Sequence, residues 1–249
     1  MLQTRIMQSK PALVLEGDRK YLVVTDLHIG FESSMASNEI FIGKNSTINE
    51  TIQELSDMID TEKPDSVILL GDIKSSMKSI SKSEWDEVPL FFDKISQKCE
   101  IVLVPGNHDA NISRLVPQNI TMISSTGMVE ENTLLTHGHT MPSENFSHVD
   151  KIIMGHVHPV FFQEDSVING QRVWISMKIE KEKIFPNKSG ELEITIIPSF
   201  NKYFYATHRK KYKKSISPII DRIKSVAKAR IVTLDGTIIG NELIIDQVL

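Results

Sequence analysis

The residues best suited to chemistry in this chain are histidines, and they are not scattered. Of eight histidines, six lie in four short clusters: "TDLH" (His28), "PGNHD" (His108), "THGH" (His137, His139) and "MGHVH" (His156, His158). Asp26 sits in the first cluster, Asn107 and Asp109 in the second, and Asp72 closes a further segment, "LLGD". Carboxylate, imidazole and amide oxygen together make a hard-to-borderline ligand set for divalent ions such as Mn, Fe, Zn or Ni. The clusters contain no thiolate, which excludes a zinc site of the cysteine type. Asp-x-His spacing in an extended segment puts both side chains on one side, within reach of one ion. His156 and His158 have the same spacing and could serve two adjacent ions. A carboxylate has two oxygens, so Asp72 alone could bridge them. The glycines before Asp72, Asn107 and His156 permit tight turns and close backbone approach. Alone, an Asp-x-His pair reads as a capped turn and "THGH" as a loop. Five polar clusters, each at the end of an apolar run, read as one site.

Those apolar runs are the elements that must carry the site. "YLVVTD" (Tyr21 to Asp26), "SVILLGD" and "EIVLVPGNHD" are strand-like and end in the polar clusters. Between them lie two helical patterns. From Thr47 to Thr61, Ile48, Ile52, Leu55 and Ile59 recur at three- and four-residue steps; from Glu84 to Cys99, Trp85, Val88, Phe92 and Ile95 share a side. Alternating strands and helices predict a parallel sheet covered by helices, and ligands bind such sheets outside the carboxyl ends of the strands. The second half, with "NTLLTHGH", "KIIMGHVH", "QRVWISM" and "ELEITIIP", predicts a second, more antiparallel sheet. A last helix over about Ser215 to Ala227 and a hairpin, "RIVTLDGTIIG", follow, with Asp235-Gly236 as a two-residue turn. The fold class is therefore α/β, two sheets packed together with helices outside.

Composition sets bounds on function. At 249 residues and net charge -4, the chain is not a polycation built to coat nucleic acid. A single cysteine, Cys99, rules out an intrachain disulfide and suits a reducing, cytoplasmic setting. No apolar stretch approaches the ~20 residues that span a bilayer, and the first residues lack the apolar core of a signal peptide. One stretch differs: "NKYFYATHRKKYKK" (Asn201 to Lys214) carries six Lys/Arg and no acid, which leaves -10 for the remainder. Arg209, Lys210, Lys211, Lys213 and Lys214, interleaved with Tyr203, Tyr205 and Tyr212, form a candidate nucleic-acid-binding segment that could track phosphates and stack bases. The plainer reading is a solvated loop before a helix. "NEIFIGKN" (Asn38 to Asn45) reads as ordinary packing or as a substrate lid.

In order and spacing, Asp-x-His, Gly-Asp, Gly-Asn-His-Asp, His-Gly-His and Gly-His-x-His resemble the signature of the calcineurin-like metallophosphoesterase superfamily. The resemblance implies a four-layer α/β/β/α sandwich, two mixed sheets flanked by helices. It also implies a metallophosphoesterase domain over residues 1–200, with residues 201–249 adding the basic segment, helix and hairpin. Two divalent ions are implied, manganese first and Fe, Zn or Ni otherwise. Asp26, His28, His158 and Asp72 would hold one; Asn107, His137, His156 and Asp72 would hold the other, with His137 taken over His139. His108 would be the catalytic histidine, and Asp109 would orient it or stabilise the turn. The reaction implied is attack on phosphorus by a hydroxide held between the ions. "YLVVTDLHIGFE" and "IIPSFN" further resemble the short archaeal and bacterial phosphoesterases related to the SbcD nuclease subunit. This implies a phosphodiesterase or nuclease acting on DNA or RNA in repair, with a repair helicase or ligase as a partner to look for. The alternatives are a phosphoesterase for small nucleotides or monoesters, and a non-catalytic scaffold; the complete ligand set weighs against the scaffold.

Overall fold

A computed structural model of the chain describes residues 2–32, 46–203 and 217–249. Its first sheet runs β1 (Gln3–Ile6), β2 (Leu13–Glu16), β3 (Lys20–Val24), β4 (Ser66–Leu70), β5 (Glu100–Val104), β6 (Thr121–Met122), in spatial as in chain order. β3 to β6 are parallel, and β1 and β2 add an antiparallel edge. Among the described residues the crossovers carry α1 (Ser46–Glu62) between β3 and β4 and α2 (Lys82–Ser96) between β4 and β5. In the second sheet the remaining strands are β7 (Met128–Glu130), β8 (Thr133–Thr136), β9 (Lys151–Met154), β10 (Val173–Glu180), β11 (Glu191–Ile196), β12 (Lys228–Thr233) and β13 (Ile238–Asn241). Their order is β13-β12-β10-β11-β9-β8-β7. This sheet is mixed and mainly antiparallel, as expected: four of its six pairings are antiparallel, and β8, β9 and β11 run parallel at its middle. A short helix, α3 (Pro218–Ile223), lies on its outer face.

Side-chain alternation explains the layers. All of β4 is buried, yet its residues divide by parity. Val67 and Leu69 pack toward α1 and α2 with Leu55, Val88 and Phe92, whereas Ile68 and Leu70 meet Leu135, Ile153 and Trp174 of the second sheet. A third cluster joins Ile175, Met177 and Ile194 to Ile219, Ile220 and Ile223 of α3. Helices, sheet, sheet and helix are thus the four layers expected. The carboxyl ends of β3, β4, β5, β8 and β9 open toward one shared region, and the polar clusters follow them.

Three expectations are corrected. Trp85 is 47% exposed, and Phe91 joins Val88, Phe92 and Ile95 on the buried face of α2. The first turn of that helix instead turns Glu84 inward, fully buried, which rotates Trp85 outward. The last helix is shorter than expected: it begins at Pro218, whose fixed φ suits a first turn, and ends at Ile223. The hairpin turn has three residues, not two. Thr233 N donates to Thr237 O at 2.9 Å, and Gly236 supplies the left-handed residue at φ +96.

Candidate metal centre

The loops after β3, β4 and β9 do not continue as extended backbone. Asp26, His28, Asp72, His156 and His158 all have positive φ, between 46° and 69°. The Asp-x-His pairs therefore converge through left-handed turns, not through the alternation of a strand as their spacing suggested. Each such residue costs roughly 1–2 kcal/mol, so the surroundings must hold it. Asp26 N donates to Gly71 O, His28 N to Asp72 O and Ile29 N to Ile73 O, which zips the first two loops together. From the far side, Ser199 Oγ donates to Asp26 O at 3.0 Å, Asn201 N to the same oxygen at 3.2 Å, and Asn201 Nδ2 to Leu27 O at 3.0 Å. Arg172 fixes that clamp by donating to the carbonyls of Ser199 and Phe200.

Two groups of ligand atoms result. Asp26, His28, Asp72 and His158 each bring one atom within 4.8 Å of the others, and Asp72, His137 and His156 do the same. Asp72 belongs to both. Its Oδ1 accepts from the His108 backbone N–H at 2.8 Å, while Oδ2 lies 3.2 Å from His137 Nε2 and 3.9 Å from His28 Nε2. One oxygen, not two, thus faces both groups. Asp26 is divided similarly: Oδ2 accepts from His156 N at 3.0 Å, and Oδ1 faces His158 Nε2 at 3.0 Å. His137 donates from Nδ1 to Leu70 O at 2.9 Å, which leaves Nε2 for the centre. Asn107 Oδ1 is buried with no hydrogen-bond partner among the described residues. A buried amide oxygen in that state is costly unless something electropositive meets it, so the donor set fits a bound cation. A Cβ on Gly106 would land on Asp72 Oδ1, and one on Gly155 would come within 2.8 Å of Asp26 Oδ2; glycine is required at both.

Electrostatics bind the groups together. Burial opposes the charge on Asp72, but His137, His28 and His108 outweigh it and hold the carboxyl well below its usual range. At Asp26, burial is likewise overcome by His158 and His137, to about 2. His137 is also disfavoured as a cation by burial; the charges of Asp72 and Asp26 reverse that and hold it at about 9. His28 is pushed well below its usual value, chiefly by burial.

His108 lies at the open side of the centre, its side chain 18% exposed, with Nε2 3.9 Å from Asp72 Oδ2. Its Nδ1 meets Ser75 O at 2.5 Å. Of the two roles expected for Asp109, orienting His108 or stabilising the turn, its contacts are those of the second. Its Oδ2 accepts from Gly106 N, and its Oδ1 from Ile73 N and Lys74 N. Burial first, then Asp72, pushes its carboxyl up to about 6. His139 sits beside the second group, 5.4 Å from the His137 ring, and joins neither set of ligand atoms. The expected basic residues Arg209, Lys210, Lys211, Lys213 and Lys214, and the Asn38 to Asn45 segment, lie outside the described residues. Sequence reasoning missed Lys74, Ser75, Glu84 and Arg172. Only Glu84 carried a signal, the Ser-x-x-Glu spacing from Ser81 of a capping box.

The model of the calcineurin-like phosphoesterase family matches residues 19–152. The chain belongs to the calcineurin-like phosphoesterase family. The matched region carries the Asp26, Asp72, Asn107 and His137 loops, and the Gly-His-x-His loop follows it. As a member of this family the protein is a metal-dependent phosphoester hydrolase. Its relatives normally use two divalent ions, and its two Asp/His groups can hold them. Among solved structures, the fold is similar to the Pseudomonas putida nuclease MPE, at 18% identity and TM-score 0.57, over 94% of this chain and 98% of that one. It is also similar to Yfce, a phosphoesterase from E. coli, at 14% identity and TM-score 0.38, over 89% and 97% of the two chains. A search of curated proteins by sequence gave no match. Among the described residues, no helix is long and apolar enough to cross a membrane.

Proposed function

We propose that the protein is a dinuclear phosphodiesterase acting on nucleic acid, in which the shared Asp72 couples two metal subsites beneath His108. The observation that carries this reading is that Asp72 Oδ2 faces both ligand groups while His108 Nε2 points to the same oxygen from the open side. Asp26, His28 and His158 complete the first subsite, and Asn107, His137 and His156 the second. When bound, the two ions supply a water of lowered pKa and neutralise charge on the phosphoryl oxygens. The chain does the rest. The hydrogen bond at Asp26 Oδ2 turns Oδ1 inward, and that at Asp72 Oδ1 turns Oδ2 inward. The Leu70 carbonyl fixes the His137 tautomer so that Nε2 faces the centre. His108 is the group that an incoming phosphoester meets. With both ring nitrogens protonated, it contacts a non-bridging oxygen, hands the Nε2 proton to the departing oxygen and is left neutral with its remaining proton on Nδ1. Asp109 acts as a positioning residue, since it touches loop backbone and not the reacting atoms.

The nucleic-acid substrate is supported by the sequence resemblance to SbcD-related phosphoesterases and the basic run from Arg209 to Lys214. The fold shared with a nuclease over nearly the whole of both chains is compatible with it. The test is a substrate panel with Mn²⁺: bis-p-nitrophenyl phosphate, p-nitrophenyl phosphate, cyclic nucleotides, and labelled single- and double-stranded DNA and RNA. Degradation of a nucleic acid is expected. Cleavage of the small esters alone would overturn the nucleic-acid substrate, and inactivity on all of them with metal loaded would overturn the enzyme. His108→Ala should cost ~10²–10⁴ in turnover and leave metal content unchanged.

A further inference from the structure

Behind His108 the chain places a peptide group, and behind that peptide a buried carboxylate. Ser75 O receives Nδ1 of His108 at 2.5 Å. A carbonyl oxygen only accepts, so Nδ1 carries the proton and Nε2 is the nitrogen turned to the centre. The N–H of the same peptide unit, on Ser76, donates to Glu84 Oε1 at 2.6 Å. The other oxygen of Glu84 accepts from Ser81 N, also at 2.6 Å. Glu84 is fully buried at the first turn of α2, and its Cγ lies so close to Gly30 that a Cβ there would come within 2.8 Å. The loop between is held from its other side by Lys74, likewise buried, whose Nζ donates to the carbonyls of Ser76 and Ser79. Asp109 anchors the start of the same loop through Ile73 N and Lys74 N.

We propose that Glu84 is a positioning residue for His108, acting across the Ser75–Ser76 peptide. The inference rests on the reading of His108 as the leaving-group acid. A carboxylate hydrogen-bonded to one end of a peptide dipole strengthens its other end as an acceptor. The Ser75 carbonyl therefore does for Nδ1 what a directly bonded carboxylate would do, and Asp109 is left to the backbone. This gives a reason for a fully buried acid in a capping box. A cap alone needs only one carboxylate oxygen, on the N-cap amide; here the second oxygen reaches outside the helix to the peptide that holds the catalytic ring.

The experiment is Glu84→Gln, assayed on two diesters, one with a p-nitrophenolate leaving group and one with an alkoxide. A carboxamide can satisfy only one of the two amides, because its other terminus donates. An acid is needed most when the leaving group is poor, so kcat on the alkoxide ester should fall roughly tenfold, with a much smaller loss on the p-nitrophenyl ester. Metal content should not change. In a His108→Ala background the same substitution should cost nothing further, since its route runs through the imidazole. Ser81→Ala removes the hydroxyl that caps Glu84 N but leaves the Ser76 contact, so it should lower Tm without changing the leaving-group split. Equal losses on both esters, additive losses with His108→Ala, or the same split from Ser81→Ala would each overturn the relay. If His108→Ala itself shows no dependence on the leaving group, the reading of His108 fails, and that result is separate. Should Glu84→Gln fold poorly, nitrogen NMR of the wild-type imidazole decides alone: a proton on Nε2 rather than Nδ1 in the neutral ring rejects the proposal.

Discussion

Removing the metals should invert the pH dependence of stability. In the metal-free protein His137 is held at about 9, burial being outweighed by Asp72 and Asp26, against 6.5 when unfolded. The folded value is the higher one. The stabilisation is thus fully present below pH 6.5 and lost as pH rises through 9. At 1.36 kcal/mol per unit this is about 3 kcal/mol, counted once because Asp72 holds the other half of the same interaction. Asp109, at about 6, loses most of its contribution between 3.8 and 6, and Glu87, half-buried and raised by burial to about 7, adds a smaller fall in the same direction at the lower edge of the window. His28, kept neutral chiefly by burial, has no linkage above 6.5, where its unfolded form is neutral too. Thermal unfolding of the chelator-treated protein should show Tm falling by roughly 6–12 °C between pH 6.5 and 9, from the size scaling of Tm with stability. The metal-loaded protein should show the reverse, since a ligand must shed its proton to bind. His137→Gln should flatten the metal-free curve. A Tm that is constant or rises over this window without metal, or a slope undiminished in His137→Gln, would refute the reasoning.

Other substitutions test the scaffold. In Gly155→Ala the new methyl meets Thr25 Oγ1 and comes within 2.8 Å of Asp26 Oδ2, so a loss of about 1–3 kcal/mol and reduced metal content by elemental analysis are expected. Asn201→Ala removes the donor to Leu27 O and should cost about 1 kcal/mol while weakening one Mn²⁺ site more than the other; equal weakening in a calorimetric titration would count against the clamp. Glu62 is held at about 2, first by its hydrogen bond to Arg5 and then by Lys20. Its stabilisation exists above pH 4.5 and disappears as pH falls toward 2, so Glu62→Gln should remove that acid slope from urea midpoints.

The residues that converge were readable in the sequence because few side chains suit a metal site. The proposed dinuclear centre needs carboxylate, imidazole and amide oxygen at loop ends, and Asp26, His28, Asp72, Asn107, His137, His156 and His158 are conspicuous for that reason. The glycines were readable too: Gly71, Gly106 and Gly155 mark places where backbone passes against one of these side chains or its neighbour. The conformation of the proposed ligands was not. Aspartate and histidine in left-handed turns carry no pattern of their own, and what stabilises them comes from Ser199 and Asn201, more than 170 residues from Asp26 and Leu27. Strand alternation predicted the right convergence by the wrong geometry. The fold followed the same division. β4 and α2 were visible as apolar periods, but Trp85 was assigned inward because periodicity ranks residues by apolarity, and at the first turn of α2 the buried position belongs to Glu84.

That exchange between Trp85 and Glu84 bears on function. Burying a carboxylate where an indole was available is unfavourable for the core, and it persists only if the carboxylate is fully hydrogen-bonded. Glu84 meets this by holding Ser76 N and Ser81 N, one on each oxygen. The helix needs the second bond; it has no use for the first. The peptide that receives the first is the one His108 leans on. A mistaken inward assignment, a buried acid and the peptide carbonyl at Nδ1 of the proposed catalytic imidazole thus have one physical explanation, and the double substitution of Glu84 and His108 tests the link between them.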